Sequence, residues 1–199
     1  MMGNRKQRFW RSSDKKLAGR NPSGSPLSSF HSSASSASSA SSPASRNQER
    51  PSFHIRWMLR QDMRYMWDNE RYGSKYKLSN ETIKAILRCQ NTLGLVAEDS
   101  ERVWGHALCS FEKEFLYLVH LVVHPERRRQ GIGSAFIGLL KAKVRHRKLN
   151  FLRAQTSERW LGEQLFLRSC GMICKSTFEE NGEVYFNFIW RRGWDDDCV

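Results

Sequence analysis

The residues best suited to chemistry stand together in one basic, glycine-containing run, Arg127-Arg128-Arg129-Gln130-Gly131-Ile132-Gly133-Ser134. It follows the apolar run Phe115 to Val123. It precedes Ser134 to Val144, where Ala135, Leu139 and Ala142, with Phe136, Leu140 and Val144, recur at helical spacing. A strand, a glycine-rich turn and a helix N-terminus, in that order, present unpaired N–H groups and the positive end of a helix dipole to an anion. Gly131 and Gly133 have no Cβ, so a bulky anion can reach the main chain. Arginines 127, 128 and 129 add guanidinium groups able to fork onto phosphate oxygens. A diphosphate is the natural guest. A basic turn without a ligand is the alternative that the loop alone leaves open.

Other phosphate loops do not match. A dinucleotide-binding turn needs a third glycine where Phe136 stands, and a Walker loop needs Gly-Lys-Ser/Thr, which is absent. Nor is metal expected. Cys89, Cys109, Cys170, Cys174 and Cys198 contain no C-x-x-C pair, so they read as reduced thiols of an intracellular, cytoplasmic protein.

The elements around the loop follow from hydrophobic patterning. Phe53 to Leu59 alternates as a first strand, and Asp62 to Tyr72 and Asn80 to Arg88 read as helices, the second capped by Ser79 or Asn80. Thr92 to Glu98 and Val103 to Phe111 are β-rich runs joined by the polar Asp99-Ser100-Glu101-Arg102, hence a hairpin. Phe115 to Val123, nearly all apolar, suits a central strand covered on both faces. Phe151 to Thr156 predicts a strand, and Trp160 to Arg168 a helix closed by Gly171. Met172 to Phe178 and Val184 to Trp190 form a closing hairpin around Asn181-Gly182. The order β-α-α-β-β-β-α-β-α-β-β is that of an α/β (α+β) domain, a mixed sheet of about seven strands with helices on both sides.

This domain is expected over residues 51–199. Residues 1–50 are expected to be a disordered tail: Ser23 to Ser45 is Ser/Ala-rich with almost nothing large and apolar to bury. The tail carries nine Lys and Arg against Asp14 and Glu49, within a chain of net charge +13. It reads as a solvated charge run, with weak contact to nucleic acid or an acidic membrane as the alternative. Its Arg/Ser-rich, acid-poor character also resembles an organellar transit peptide. No apolar run approaches the length needed to cross a bilayer, and Gln7 stands where an N-myristoylation site needs Ser or Thr.

The stretch from Val122 through His124-Pro125-Glu126 to Gly131-Ile132-Gly133-Ser134 resembles the acetyl-CoA signature Q/R-x-x-G-x-G/A of the GNAT N-acetyltransferase superfamily. Leu95-Val-Ala-Glu98 and Trp104-Gly-His-Ala107 resemble its second and third strands, and Gln164-Leu-Phe-Leu-Arg-Ser-Cys-Gly171 its last helix. The nearest subfamily is the ribosomal-protein N-terminal-alanine acetyltransferases. The resemblance implies a splayed sheet and acetyl-CoA as acyl donor. The edge of Leu121, Val122 and Val123 would pair with the pantetheine arm, and the backbone of Arg128, Arg129, Gln130, Gly131, Ile132, Gly133 and Ser134 would wrap the diphosphate. It further implies an amine acceptor on a protein or peptide, with a ribosomal protein as the subfamily's example.

Acyl transfer to an amine requires that the amine lose a proton, that the tetrahedral oxyanion meet a donor, and that the thiolate depart. The residues that the subfamily uses are not here. Its Glu, on the strand after the main helix, falls on Gln155; its Tyr, on the last helix, falls on Leu167; its Asn falls on Trp160. His120 and Tyr117 on the central strand and Glu158 beyond Gln155 are the candidates for relocated catalytic groups, although a His in an apolar strand is more often a satisfied core residue. Tyr65, Tyr72, Trp57 and Trp67 are expected to pack or to line an acceptor groove. A CoA-binding regulatory module without turnover, and a ribosome- or nucleic-acid-associated binder, are the competing readings.

Overall fold

The computed structural model describes residues 53–74 and 77–194; the expected tail of residues 1–50 lies outside them. Seven strands form one mixed sheet in the order β1-β2-β3-β4-β5-β7-β6. The strands are β1 (His54–Trp57), β2 (Thr92–Glu98), β3 (Val103–Phe111), β4 (Phe115–Val123), β5 (Phe151–Ser157), β6 (Ile173–Glu180) and β7 (Glu183–Arg191). The helices are α1 (Met63–Gly73), α2 (Asn80–Leu87), α3 (Ile132–His146) and α4 (Leu161–Ser169). The boundaries of β2, β3 and β4 coincide with those read from the sequence. The others move by one to a few residues, as helix and strand ends commonly do.

Local signals behave as their chemistry requires. Ser79 caps α2, its Oγ accepting from the Thr82 amide at 3.1 Å. Gly171 leaves α4 with φ +73, and Asn181 and Gly182 turn the β6–β7 hairpin with φ +51 and +73, the positive pair that a tight hairpin needs.

Each face of the sheet is covered by its own set of helices. Phe136, Ile137, Leu140 and Val144 of α3 and Leu167 of α4 bury against Leu116, Leu118, Leu152, Phe188 and Trp190. On the opposite face Met66 of α1 and Ile83 of α2 pack on Leu108, with Val119 at the margin. Side chains as large as Phe136 each contribute about 1.5–3 kcal/mol by leaving water, so β4 is held firmly from both sides.

Two irregularities of β4 shape the functional face of the sheet. β4 pairs in parallel with β5 only from Phe115 to Leu118, opposite Phe151 to Ala154. Beyond that the strands part, and β5 continues with β7 as far as Ser157. The sheet is therefore splayed. In addition, Leu108 lies opposite His120 while Cys109 lies opposite Leu118, so Val119 is the extra residue of a β-bulge. A bulge breaks the strict alternation of side chains. That is how Val119 and His120, neighbours in sequence, both turn toward α1.

Candidate functional site

The turn after β4 leaves a run of backbone N–H groups open at the start of a helix. A short 3-10 turn over Pro125–Arg127 lifts the chain off the sheet, Arg129 takes φ +62, and Gly131 takes φ +89 as the residue capping α3. Ala135 is the first residue of the helix whose amide finds a backbone acceptor, the Gly131 carbonyl at 2.9 Å; among the described residues, the amides of Arg129 to Ser134 donate no backbone hydrogen bond. A run of orphaned N–H groups at a helix start is a nest for phosphate oxygens. A Cβ built on Gly131 meets nothing within 4 Å, so the approach to these amides is open. Gly133, by contrast, packs under the Phe166 ring of α4, and the buried Ile132 anchors the turn in the core. The residues present fit a diphosphate.

The arginines divide their work. Arg127 pairs with Asp99 at 3.1 Å and stacks on Trp104 at 4.7 Å. Arg128 donates through Nε to the Val123 carbonyl at 3.1 Å and through NH2 to the Gly73 carbonyl at 2.5 Å, tying the end of β4 to the end of α1. Arg129 is exposed and stands nearest in kind to the free cation expected for a phosphate. Gln130 fixes the turn by donating to the Glu126 carbonyl at 3.2 Å.

Below the turn, the gap between β4 and β5 is lined on the α1 face of the sheet by a ladder of polar side chains, into which Arg153 of β5 donates at Asn187 Oδ1 at 3.1 Å. Tyr117 donates to Gln155 Oε1 at 3.1 Å. Gln155 donates in turn to Asn187 Oδ1 at 2.5 Å, and Asn187 to Ser176 Oγ at 3.0 Å. Burial holds the Tyr117 phenol well above its usual range, so it stays a neutral donor. Gln155, at the position of the subfamily's carboxylate, serves as a link in this ladder.

The ionised group lies one strand over. Glu70 of α1 is 1% exposed, and its Oε1 contacts His106 Nε2 of β3 at 2.9 Å and His120 Nε2 of β4 at 2.6 Å. Its Oε2 accepts from the Leu78 amide at 3.1 Å. Burial alone would push this carboxyl up, but the hydrogen bonds from the two imidazoles outweigh it and bring the pKa down to about 2. Burial holds His106 below the usual histidine range despite Glu70. One ligand atom from each of Glu70, His106 and His120 lies within 4.8 Å of the others, a set that a cation could use. At 2.6 and 2.9 Å the contacts are already hydrogen bonds, and an ion would have to displace both Nε2 protons.

The residues singled out in the sequence thus meet different fates. His120 and Tyr117 come to the mouth of the splay on the same face. Glu158 does not join them: it is exposed, and its carboxylate accepts from the Val184 amide at 3.4 Å at the start of β7. Leu121 and Val123 pack toward the α3 side, and the buried Val122 lies under Gly73. Leu167 is buried in the core, which is why no phenol could point from that position into the gap. Tyr65 and Trp67 line an open groove of about 580 Å³ between α1 and α2, with Met63, Arg64, Asp68, Asn80 and Lys84. Trp57 instead lies against the Lys143 ammonium at 4.4 Å, and Tyr72 against His124. Sequence reasoning missed Glu70 and His106. Glu70 carried a weak signal, a charge spaced to fall on the inner face of an amphipathic helix beside Met66.

Comparison with known proteins agrees with this geometry. The sequence profile described as the acetyltransferase (GNAT) family matches residues 53–172. No curated protein matches the chain. Solved structures share the fold. The ribosomal-protein-S18-alanine N-acetyltransferase from Escherichia coli aligns with TM-score 0.63 and 14% identity over 70% of this chain and 94% of that one. Ard1 from Thermoplasma volcanium gives 0.62 and 14% over 70% and 97%. NAA60 from Arabidopsis thaliana, solved in complex with acetyl-CoA, gives 0.61 and 11% over 71% and 100%. The splayed sheet, the open amide nest and the family profile over more than half the chain together place this protein in the acetyltransferase (GNAT) family, with acetyl-CoA as the acyl donor.

Proposed function

We propose that the chain transfers an acetyl group from acetyl-CoA to the α-amine at the N-terminus of a protein. The observation that carries the reading is Gln155, an amide where a carboxylate base would stand, tied on both sides by Tyr117 and Asn187. A site with no carboxylate there must work on an amine that is already partly neutral. With pKa near 7.7–8.0, roughly a fifth to a third of α-amines are neutral at pH 7.4, against about 0.1% of lysines near 10.4; the difference is about 3 kcal/mol of deprotonation. A ribosomal-protein alanine acetyltransferase among the structural neighbours supports the same acceptor class.

In this reading the amides of Arg129 to Ser134, with Arg128 holding the turn, bind the diphosphate. The β4 edge from Leu121 to Val123 receives the pantetheine arm, and His120 is the catalytic base at the splay. Tyr117, its hydroxyl proton given to Gln155, holds that amide in place in the gap. We place the reaction in the cytoplasm, where the thiols of Cys89, Cys170 and Cys174 stay free, with a ribosomal protein as the first acceptor to try and the basic tail as a weak contact to nucleic acid.

The test is a pair of short peptides that differ only in whether the α-amine or a lysine ε-amine is free, incubated with the full chain and acetyl-CoA at pH 7.4. Faster transfer to the α-amine is expected. Preference for lysine overturns the acceptor class, and binding of acetyl-CoA without transfer to either peptide turns the reading to a regulatory CoA-binding module.

A further inference from the structure

We propose that Glu70 is a positioning residue that fixes the tautomer of His120, so that Nδ1 of His120 is the atom that takes the proton from the acceptor amine. The inference rests on the acetyltransferase reading above and adds an assignment to it.

One carboxylate oxygen, Glu70 Oε1, lies within hydrogen-bond distance of two imidazole nitrogens, His106 Nε2 and His120 Nε2. Glu70 is ionised and can only accept, so each ring must present an N–H to it. A neutral imidazole carries one proton, and both rings are therefore protonated at Nε2 and bare at Nδ1.

The surroundings of His106 point the same way. Its Nδ1 is buried with no partner among the described residues. A bare nitrogen there is tolerable, whereas a buried N–H without an acceptor would cost roughly 1–3 kcal/mol of desolvation. This ring has no exposed surface at all and cannot meet a substrate. It serves as a second donor that keeps the carboxylate ionised and in place.

His120 differs in one respect. Its side chain is 12% exposed, and its Nδ1 is not among the buried unpartnered atoms. It sits just past the bulge, where β5 has turned away from β4. Its bare nitrogen therefore belongs to the one ring of the pair that solvent, and hence an amine, can reach. Glu70 from α1 and His106 from β3 are the ionisable groups against it among the described residues; Tyr117, on its own strand, stays neutral.

The proton balance is complete. As the acceptor nitrogen bonds to the acetyl carbon and the carbon–sulfur bond breaks, the nitrogen's proton passes to His120 Nδ1. The imidazolium that forms faces an anion already in position, and it returns the proton to the departing thiolate or to solvent. A carboxylate that orients a histidine and steadies its charged form is a general solution to this task.

Two measurements test the assignment. Imidazole ¹⁵N NMR of the histidine-labelled full chain, with His120→Gln to identify the signal, should show neutral His120 protonated at Nε2. An Nδ1-protonated ring overturns the proposal. The tautomer is read on the unmutated protein, and where His120→Gln fails to fold His120→Asn identifies the signal instead. In kinetics with the α-amine peptide, Glu70→Gln should lower kcat by about 10²-fold, the lower end of a general base's contribution. It should also move the acid limb of the pH profile to lower pH, while acetyl-CoA affinity stays as in the parent. Transfer by Glu70→Gln with the parent's kcat and profile overturns the role of Glu70 alone. A parent chain that acetylates no amine overturns the acetyltransferase reading, and the role of His120 with it.

Discussion

Replacing Gly131 by alanine separates what the turn does for folding from what it does for the cofactor. Gly131 holds φ +89, a conformation that costs an L-residue about 1–2 kcal/mol. Nothing lies within 4 Å of the added methyl, so no steric cost is added to the conformational one. At about 2–4 °C per kcal/mol for a chain of this size, Tm should fall by roughly 2–8 °C. The cofactor should suffer more. The methyl stands where the diphosphate must approach the open amides, and a hydrogen bond to a charged group is worth about 1.5–3 kcal/mol. Losing one such bond weakens acetyl-CoA roughly ten- to a hundredfold. Gly182→Ala is the control: φ is +73, the methyl again meets nothing within 4 Å, and the residue lies in the β6–β7 hairpin. It should show a similar fall in Tm with unchanged affinity. Calorimetric titration with acetyl-CoA and thermal melts of the three proteins decide the matter. If Gly131→Ala binds as tightly as the parent, or if both variants weaken equally, the diphosphate assignment is wrong.

Further expectations concern stability and reactivity. Glu70 has its folded pKa brought down to about 2 from an ordinary 4.5, so its contribution is full above 4.5 and disappears as pH falls toward 2. Buried His106 adds a loss that begins below 6.5, because a depressed histidine resists charging only in the folded state. Chemical denaturation across pH 3–8 should show both, and a Glu70→Gln protein that loses as much stability between pH 5 and pH 3 as the parent would contradict the carboxylate's share. Cys109 is fully buried and its thiol pKa is pushed up, so a maleimide should label exposed Cys89 and Cys174 in the native protein and spare Cys109 until it unfolds. Labelling of Cys109 at the same rate, followed by mass spectrometry, would contradict its place in the core. Phe136→Ala should cost about 3–5 kcal/mol, since that ring fills the interface between α3 and the sheet; a variant melting within a few degrees of the parent would show otherwise.

Much of this fold is legible from residue order because its signals are local. The nine apolar-patterned residues from Phe115 to Val123, the helical repeat after Ser134 and the Asn181-Gly182 pair each specify their own structure through short-range physics. The turn at Gly131 belongs with them, since a glycine pair after a strand and before a helix says what its amides can do. The Glu70–His106–His120 cluster is illegible for the opposite reason. Its histidines lie 36 and 50 residues from Glu70 along the chain, and only the register of β3 on β4, shifted by one at Val119, sets the two rings side by side. Without the bulge the alternation of β4 would turn His120 away from α1. The place of Glu158 was misleading in a related way: adjacency to the family's base position along the chain became distance across the sheet, once β5 committed its end to β7.

The ordering of the strands also determines where this protein is vulnerable before it is finished. β3 and β4, both rich in apolar residues, are interior: β3 is paired along both edges, and β4 along β3 and, from Phe115 to Leu118, along β5. The outermost strand on one side is β6, which carries Lys175, Glu179 and Glu180 and an irregularity between Cys174 and Ser176; β1, on the other side, is only four residues long. Charge, bulge and brevity discourage a second chain from adding itself to a sheet edge. The folded protein is thus protected at its borders, while the Phe115 to Val123 segment has no such guard until β5 and β3 close on it. Because its parallel partner arrives only after the whole of α3 has been made, aggregation during synthesis or refolding should begin from that strand.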